Sequence, residues 1–345
     1  MNEVVKALLD GERLKKDQFL YLLENRDLES DELIFEKARE KTVASYGDRI
    51  FLRGLVEITN VCKNDCLYCG IRASNSKCER YRLTKADVLD CVKMGAEIGF
   101  KSFVFQGGED PHFDDALLCE LVRQTKELCP GCAVTLSMGE RSRESYKALK
   151  DAGADRYLLR HETADSEHYS RLHPKNMNLK NRMDCLYTLK ELGYQTGCGM
   201  MVQSPFQSNE NLACDLEFIA SFQPQMCGIG PFIPHKDTPF AAYPAGSVDL
   251  TVFLLALVRL SVPHVLLPAT TAVASLDPKG RTKAVMAGAN VVMPNLSPED
   301  VKDKYSLYNN KLSRLGESAL GISDLREEFS LIGRRLAFER GDWKH

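Results

Sequence analysis

Residues 51–59, FLRGLVEIT, run directly into residues 60–70, NVCKNDCLYCG. The first stretch is a β-type run, rich in aromatic and β-branched side chains and too short for a typical helix. The second is a loop carrying Cys62, Cys66 and Cys69 at Cys-x3-Cys-x2-Cys spacing. Moving outward, the same alternation repeats. Further strand patterns fall at 102–106, 133–137, 156–160, 195–202, 226–230, 264–267 and 290–293. Helical periodicity lies between them at 85–98, 114–129, 142–152, 179–192, 209–222, 248–260 and 278–287. Gly99, Gly153, Gly193 and Gly288 stand just past helix ends, where a left-handed cap is wanted. Eight strands alternating with helices predict a parallel α/β sheet, and the count predicts a (β/α)8 TIM-type barrel. An open doubly wound sheet is the alternative. In a barrel, chemistry collects at the C-terminal ends of the strands, and the three-cysteine loop follows the first of them.

Residues 1–48 carry helical patterns at 4–9, 16–25 and 31–45, and are expected to be an N-terminal helical extension packed on the barrel. Residues 49–310 form the barrel domain in this reading and 311–345 a C-terminal helical segment. The 345 residues hold 44% hydrophobic and 27% charged side chains, which excludes disordered and fibrous classes. A net charge of −3 without a long basic run argues for neither nucleic acid nor membrane as a partner. No apolar stretch approaches the length of a membrane span, and the amphipathic start MNEVVKALLDGERLKK has no signal-peptide core, so a cytoplasmic location is expected. In a reducing compartment the 12 cysteines are thiols rather than disulfides.

Three thiolates from one loop can hold one inorganic core. A cubane of four irons bound by three cysteines keeps one iron open to a chelating small molecule. A zinc site borrowing a fourth ligand such as Cys78 is the competing reading. After the second strand comes Gln106-Gly107-Gly108-Glu109, where paired glycines let backbone approach a ligand, or make an ordinary turn. Thr135 and Ser137 share one strand face and suit a polar ligand at a barrel mouth. Arg156, Arg160 and Glu162 also share a face. Inward charges are costly unless paired or used, so Arg160 and Glu162 are read as holding a zwitterion, with a structural ion pair as the alternative. Arg182, taken alone, is a solvated surface arginine. Gly197 and Gly199 in the fifth strand mark a close approach, read here as a flat adenine edge against backbone, with Cys198, Met200 and Val202 on the other face. Cys198 reads as core. His235 reads as structural before general base, and Cys129-x2-Cys132 as a bland loop.

The spacing, with Tyr68 before the third cysteine, resembles that of the radical S-adenosylmethionine enzymes. The stretches YLLRHET (157–163), GIGPFIPH (228–235), DTPF (237–240), LPATT (267–271) and GANVVMP (288–294), with Tyr305 and Tyr308, further resemble the HydE family of [FeFe]-hydrogenase maturases. Methylornithine synthase (PylB) is next, then biotin synthase. The resemblance implies a [4Fe-4S] cluster on Cys62, Cys66 and Cys69 and adenosylmethionine near Tyr68, Gln106, Gly107, Gly108, Glu109, Thr135, Ser137, Glu162, Arg182 and Met200. It implies a substrate cavity lined by Arg156, Arg160, Thr270, Thr271, Met293, Tyr305 and Tyr308. It implies hydrogenase maturation on a cysteine-bound iron carbonyl–cyanide precursor, with an amino-acid mutase of the PylB type as the alternative. The implied partners are the maturases HydG and HydF and a low-potential donor, flavodoxin or ferredoxin. Some members carry late cysteines for an auxiliary cluster; here no cysteine follows Cys227. A non-catalytic iron carrier is the third reading, disfavoured by the Gly-Gly-Glu segment and the inward charges.

Overall fold

The computed structural model describes residues 2–311 and 321–344. Three helices open the chain: α1 (Glu3–Asp10), α2 (Lys16–Glu24) and α3 (Leu28–Tyr46). They dock on later elements through specific bonds. Lys16 N–H donates to Glu217 Oε1 at 3.2 Å, Thr42 Oγ1 donates to Gly288 O at 3.2 Å, and Tyr46 OH donates to His264 O at 2.5 Å.

The repeating unit follows. β1 (Arg49–Leu52) and β2 (Gly54–Thr59) lead to α4 (Lys85–Ile98), β3 (Ser102–Gly107), α5 (Asp115–Leu128), β4 (Ala133–Ser137), α6 (Arg143–Asp151) and β5 (Arg156–Leu158). Next come α7 (Ser166–Leu172), α8 (Leu179–Glu191), β6 (Gln195–Cys198), β7 (Met201–Val202), α9 (Asn209–Phe222), β8 (Met226–Cys227) and β9 (Gly230–Pro231). The last part holds α10 (Val248–Ser261), α11 (Thr271–Leu276), α12 (Gly280–Met286), β10 (Val291–Val292), α13 (Glu299–Lys302), α14 (Ile322–Ser330) and β11 (Arg335–Ala337). Side-chain caps fix many helix starts: Thr84, Asp114, Ser142, Asn178, Ser208 and Ser247 each accept a backbone N–H of the first turn. The four predicted cap glycines all have positive φ, from 77° to 111°.

The sheet is parallel, in the order β2-β3-β4-β5-β6-β8, and every residue of β2 is buried, as expected for strands covered on both faces. Beyond β8 the ladder gives way to single parallel bridges: Met226 to Leu266, Pro268 to Val291, and Asn295 back to Leu55. Pro263, Pro268 and Pro294 flank these stretches, and proline has no N–H to donate. That is why the predicted strands at 264–267 and 290–293 shrink to bridges and the two-residue β10.

Three other predicted strands divide, among them 226–230, which splits into β8, paired with β6, and β9. Residues 51–59 break at Arg53, so that β1 pairs with β10 and β11 while β2 pairs with β3. Residues 195–202 break at Gly199 and Met200, and β7 pairs with β9. The chain end also departs from the helical expectation for 311–345. Part of that segment, 312–320, lies outside the described residues; α14 is followed by β11, which runs parallel to β1 below the strand N-termini. The mouth of the sheet therefore carries the cysteine loop, and the floor carries the C-terminal tail.

Candidate active site

The cysteine loop is braced from its own sequence. Asp65 sits between Cys62 and Cys66 and takes Arg72 bidentately, at 2.8 and 2.5 Å, while also accepting Ser74 N–H at 3.0 Å. Arg80 donates to the carbonyls of Asn60, Ile71 and Arg72 at 2.6–2.8 Å. Gly70 permits close packing: a Cβ there would lie 2.1 Å from Ser306 O and 2.5 Å from His235 Cδ2. His235 is thus a buried brace of the loop, with Nδ1 accepting Asp237 N–H at 3.1 Å.

The three thiols share one electrostatic neighbourhood. Burial pushes Cys66 well above the ordinary thiol value, and Cys69 and Cys62 push it further. Burial raises Cys69 to about 12. Cys62 is also raised by burial, offset by backbone N–H groups of Asn64 and Glu109. Cys78 hangs near Asn60 Nδ2 at 3.6 Å. Among the described residues no three His, Cys, Asp or Glu side chains close around the position of a single metal ion.

Beside the loop stand the ends of β3, β4 and β5. Gly108 is obligatory, because a Cβ would sit 2.2 Å from Val61 O and 2.8 Å from Cys62 Cβ. The close approach expected of this glycine is therefore made to the cysteine loop. Glu109 N–H points at Cys62 Sγ at 3.4 Å, and Glu109 Oε1 accepts Glu140 N–H at 3.1 Å. Gln106 pairs in register with Ser137, and its side chain faces the buried Tyr305 phenol. Arg182 is not a surface arginine. It is buried, with Nε 2.7 Å from Glu140 Oε1. Burial opposes its charge, but Tyr169, Glu140 and Glu109 hold the guanidinium above its ordinary value. Tyr68 OH lies 3.3 Å from His173 Nε2, close to Cys66 and Cys69. Arg160 and Glu162 meet at 3.0 Å, with side-chain exposures of 32% and 12%. Glu162 has φ of 67°, a left-handed conformation uncommon for a non-glycine.

Behind this cluster lies a small cavity lined by Arg53, Thr135, Leu158, Met226, Leu266 and Met293 among others. It is largely apolar, yet Arg53 Nε and Nη2 and Thr135 Oγ1 have no hydrogen-bond partner. Thr271 and Met293 line an adjoining cavity with Arg281 and Leu325, and Thr270 Oγ1 reaches Ile229 O at 3.4 Å. Tyr308 sits half-buried near Ser306.

Three expectations need correction. Arg156 does not line the cavity: it points to the floor, where it binds Asp342 Oδ1 at 2.7 Å, Arg340 O at 2.8 Å and Ser102 Oγ at 2.9 Å. It begins β5, so the alternation that puts it on the face of Arg160 leaves it at the opposite end of the strand. Met200 has a fully buried side chain within the core, so the side chain faces no open site. Gly197 and Gly199 make room for protein: added Cβ atoms would meet Leu158 Cδ1 at 2.6 Å and Gly228 O at 2.1 Å. Cys198 packs in the core as expected, and Cys129 and Cys132 are buried, free thiols.

Comparison with known proteins places this arrangement. Residues 56–219 match the Radical SAM superfamily model. The [FeFe] hydrogenase maturase subunit HydE of Thermotoga maritima is 41% identical over 91% of this chain and 89% of its own length. The chain belongs to the HydE family of radical S-adenosylmethionine enzymes. The 3-methylornithine synthase of Methanosarcina acetivorans is 27% identical over 86% of this chain and 83% of its own. Crystal structures of methylornithine synthase (PylB) and of HydG, a maturase of the [FeFe]-hydrogenase, superpose with TM-scores of 0.83 and 0.82. They share 25% and 20% identity and cover 97% and 98% of this chain, and 97% and 76% of their own.

As a member of the HydE family the chain uses a [4Fe-4S] cluster and adenosylmethionine. The residues present fit both groups. The three half-buried thiols have raised proton affinity, only partly offset by Arg80 near Cys62 and Arg182 near Cys66, and a bound metal centre deprotonates such thiols outright. Arg160 Nη2 and Glu162 Oε2 pair with each other at 3.0 Å, which sets one cationic and one anionic side chain near the cysteine loop, where Glu162 acts on Cys66. Sequence reading missed Glu140, His173 and Arg53. Glu140 stands three residues past Ser137, in a strand-end loop that the same rule would have covered. Arg53 interrupts an apolar strand, and that interruption was the available signal. His173 lies far from any strand end and left none.

Proposed function

We propose that the chain matures [FeFe]-hydrogenase by radical processing of a cysteine-bound iron carbonyl–cyanide precursor inside a (β/α)8 barrel. The 41% identity to a HydE maturase along nearly the whole chain carries this reading. The barrel is supported by the bridges at 266, 268 and 295, which continue the parallel wall from β8 back to β2. HydG as the source of the precursor, HydF as the recipient, and flavodoxin or ferredoxin as donor belong to the same proposal, which places the work in the cytoplasm.

Cys62, Cys66 and Cys69 would hold the cluster, which would supply the one-electron reductive cleavage of the adenosylmethionine sulfonium. The rest of the chain binds, orients and excludes. Glu109, Arg182 and Glu140 form a charged rim for the amino and carboxylate groups of the methionine moiety. Ser137 and Glu162 take polar atoms of the nucleoside. Arg160, with Thr270, Thr271, Tyr305 and Tyr308, grips an anionic substrate. Leu158, Met226, Leu266 and Met293 keep water away and leave few polar neighbours around the reacting carbon. Holding substrate and radical precursor in one closed space replaces an encounter in solution.

The amino-acid mutase reading rests on the 27% identity and the PylB superposition. The two separate in one assay of reduced, cluster-loaded enzyme with adenosylmethionine. The cysteine-bound iron complex should be consumed and should stimulate 5′-deoxyadenosine release; L-lysine should return unchanged. Rearrangement of lysine with no response to the iron complex would replace the maturase reading with the mutase one.

A further inference from the structure

His161 lies between Arg160 and Glu162, and its ring turns into full burial. Gly199 N–H donates to His161 Nδ1 at 3.3 Å. A backbone amide can only donate, so Nδ1 is an acceptor and the ring proton sits on Nε2. Nε2 faces Asp215 Oδ1, on α9, at 3.1 Å. The same oxygen accepts Ala164 N–H at 2.5 Å. Asp215 is fully buried, and its Oδ2 has no partner at all.

These bonds hold the chain on both sides of Glu162. Glu162 N–H donates to Gly199 O at 3.0 Å, and Met201 N–H donates to Glu162 O at 3.2 Å. Gly199 is itself wedged against Gly228, with no room for a side chain. Phe218 packs edge-on against the His161 ring, centroids 4.8 Å apart. The turn thus enclosed carries the left-handed Glu162, a conformation that costs on the order of 1–3 kcal/mol and persists only when its surroundings over-determine it. A buried carboxylate with an unused oxygen is likewise costly, and a well-packed apolar pair would serve folding as well or better. Both costs fall on one turn, and that turn carries one side chain into the site.

We propose that the buried His161–Asp215 pair is a positioning device for adenosylmethionine, locking the 161–164 turn so that Glu162 is aimed at the ligand. Neither residue touches the ligand. The proposal rests on the reading that Glu162 faces adenosylmethionine.

The test is adenosylmethionine affinity of the cluster-loaded protein, measured by equilibrium binding, with cluster absorbance as a control. Glu162→Ala should weaken binding. Asp215→Ala should weaken it roughly tenfold, the scale seen when groups that orient a ligand-binding residue are removed, with the cluster spectrum unchanged. Asp215→Asn keeps an acceptor oxygen for Ala164 N–H and His161, and should recover most of the loss. In the Glu162→Ala background Asp215→Ala should add less than about twofold, because both act through one carboxylate. Unchanged affinity in Asp215→Ala, no recovery in Asp215→Asn, or losses that multiply would overturn the positioning role. An unaffected Glu162→Ala removes the underlying reading and the proposal with it. Should Asp215→Ala not fold, His161→Asn retains an acceptor for Gly199 N–H but severs the link to Asp215, and is carried through the same cycle with the same expectations.

Discussion

Arg156 and Arg160 show what a single residue's sequence context reveals and what it hides. Strand alternation puts both on one face, and that much is correct. Alternation has no information about which end of a strand meets ligand when the strand is three residues long, as β5 is. Arg156 spends its donors on Ser102, the 340–341 carbonyls and Asp342, whereas Arg160 pairs through Nη2 with Glu162 at 3.0 Å. Two arginines of the same motif therefore predict opposite phenotypes. Arg156→Met leaves buried carbonyls without a donor and should cost roughly 3 kcal/mol of stability, seen as a lowered Tm, with adenosylmethionine affinity unchanged. A change in affinity at unchanged Tm would return Arg156 to the cavity. The cysteines, Glu109 and Glu162 were legible because their chemistry is local to a motif. The burial of Arg182 was not, since its partners Glu140 and Tyr169 come from other segments.

At the scale of the element, the cysteine loop is a small folded object held by Asp65 and Arg72. The Arg72 guanidinium draws the Asp65 carboxyl down to about 2 from the ordinary 3.8. A depressed carboxyl contributes stability above its unfolded value and loses it as the pH falls through the folded one. The contribution should therefore be complete above about pH 5 and fade between pH 4 and 2. Asp65 is partly exposed, so the effect is small, below about 1 kcal/mol. The apo chain carrying Asp65→Asn should melt slightly below the parent at pH 6, and the difference should vanish toward pH 2–3. A gap that widens on acidification would show that the pair does not brace the loop. The limits of the long capped helices were legible to within a residue or two because caps and periodicity are local signals, as at Lys85–Ile98 and Asn209–Phe222, whereas the short α7, α11 and α13 left too few turns to show a period. Strands at 264–267 and 290–293 were placed correctly but overestimated in extent, because prolines beside them remove ladder donors.

For the molecule as a whole, the division is between a mouth that binds and a floor that seals. Parallel strands carry polar side chains to the mouth, and β11 with Arg340 and Asp342 closes the opposite end around Arg156. The alternation of strands and helices announced the layered architecture. The returning tail was not legible, because its three-residue strand pairs with a partner nearly 290 positions earlier in the chain, as Arg335 does with Asp48. No helix among the described residues is long and apolar enough to cross a membrane. The account depends on one assembly, three thiols around a cluster that opens adenosylmethionine. The direct measurement is 5′-deoxyadenosine release by anaerobically reconstituted, reduced protein, alongside Cys66→Ala. The parent should bind about four irons per chain and release 5′-deoxyadenosine, while the variant should lose both the cluster absorbance and the product. A parent that holds the cluster yet leaves adenosylmethionine intact, or a variant that still cleaves it, would contradict the account.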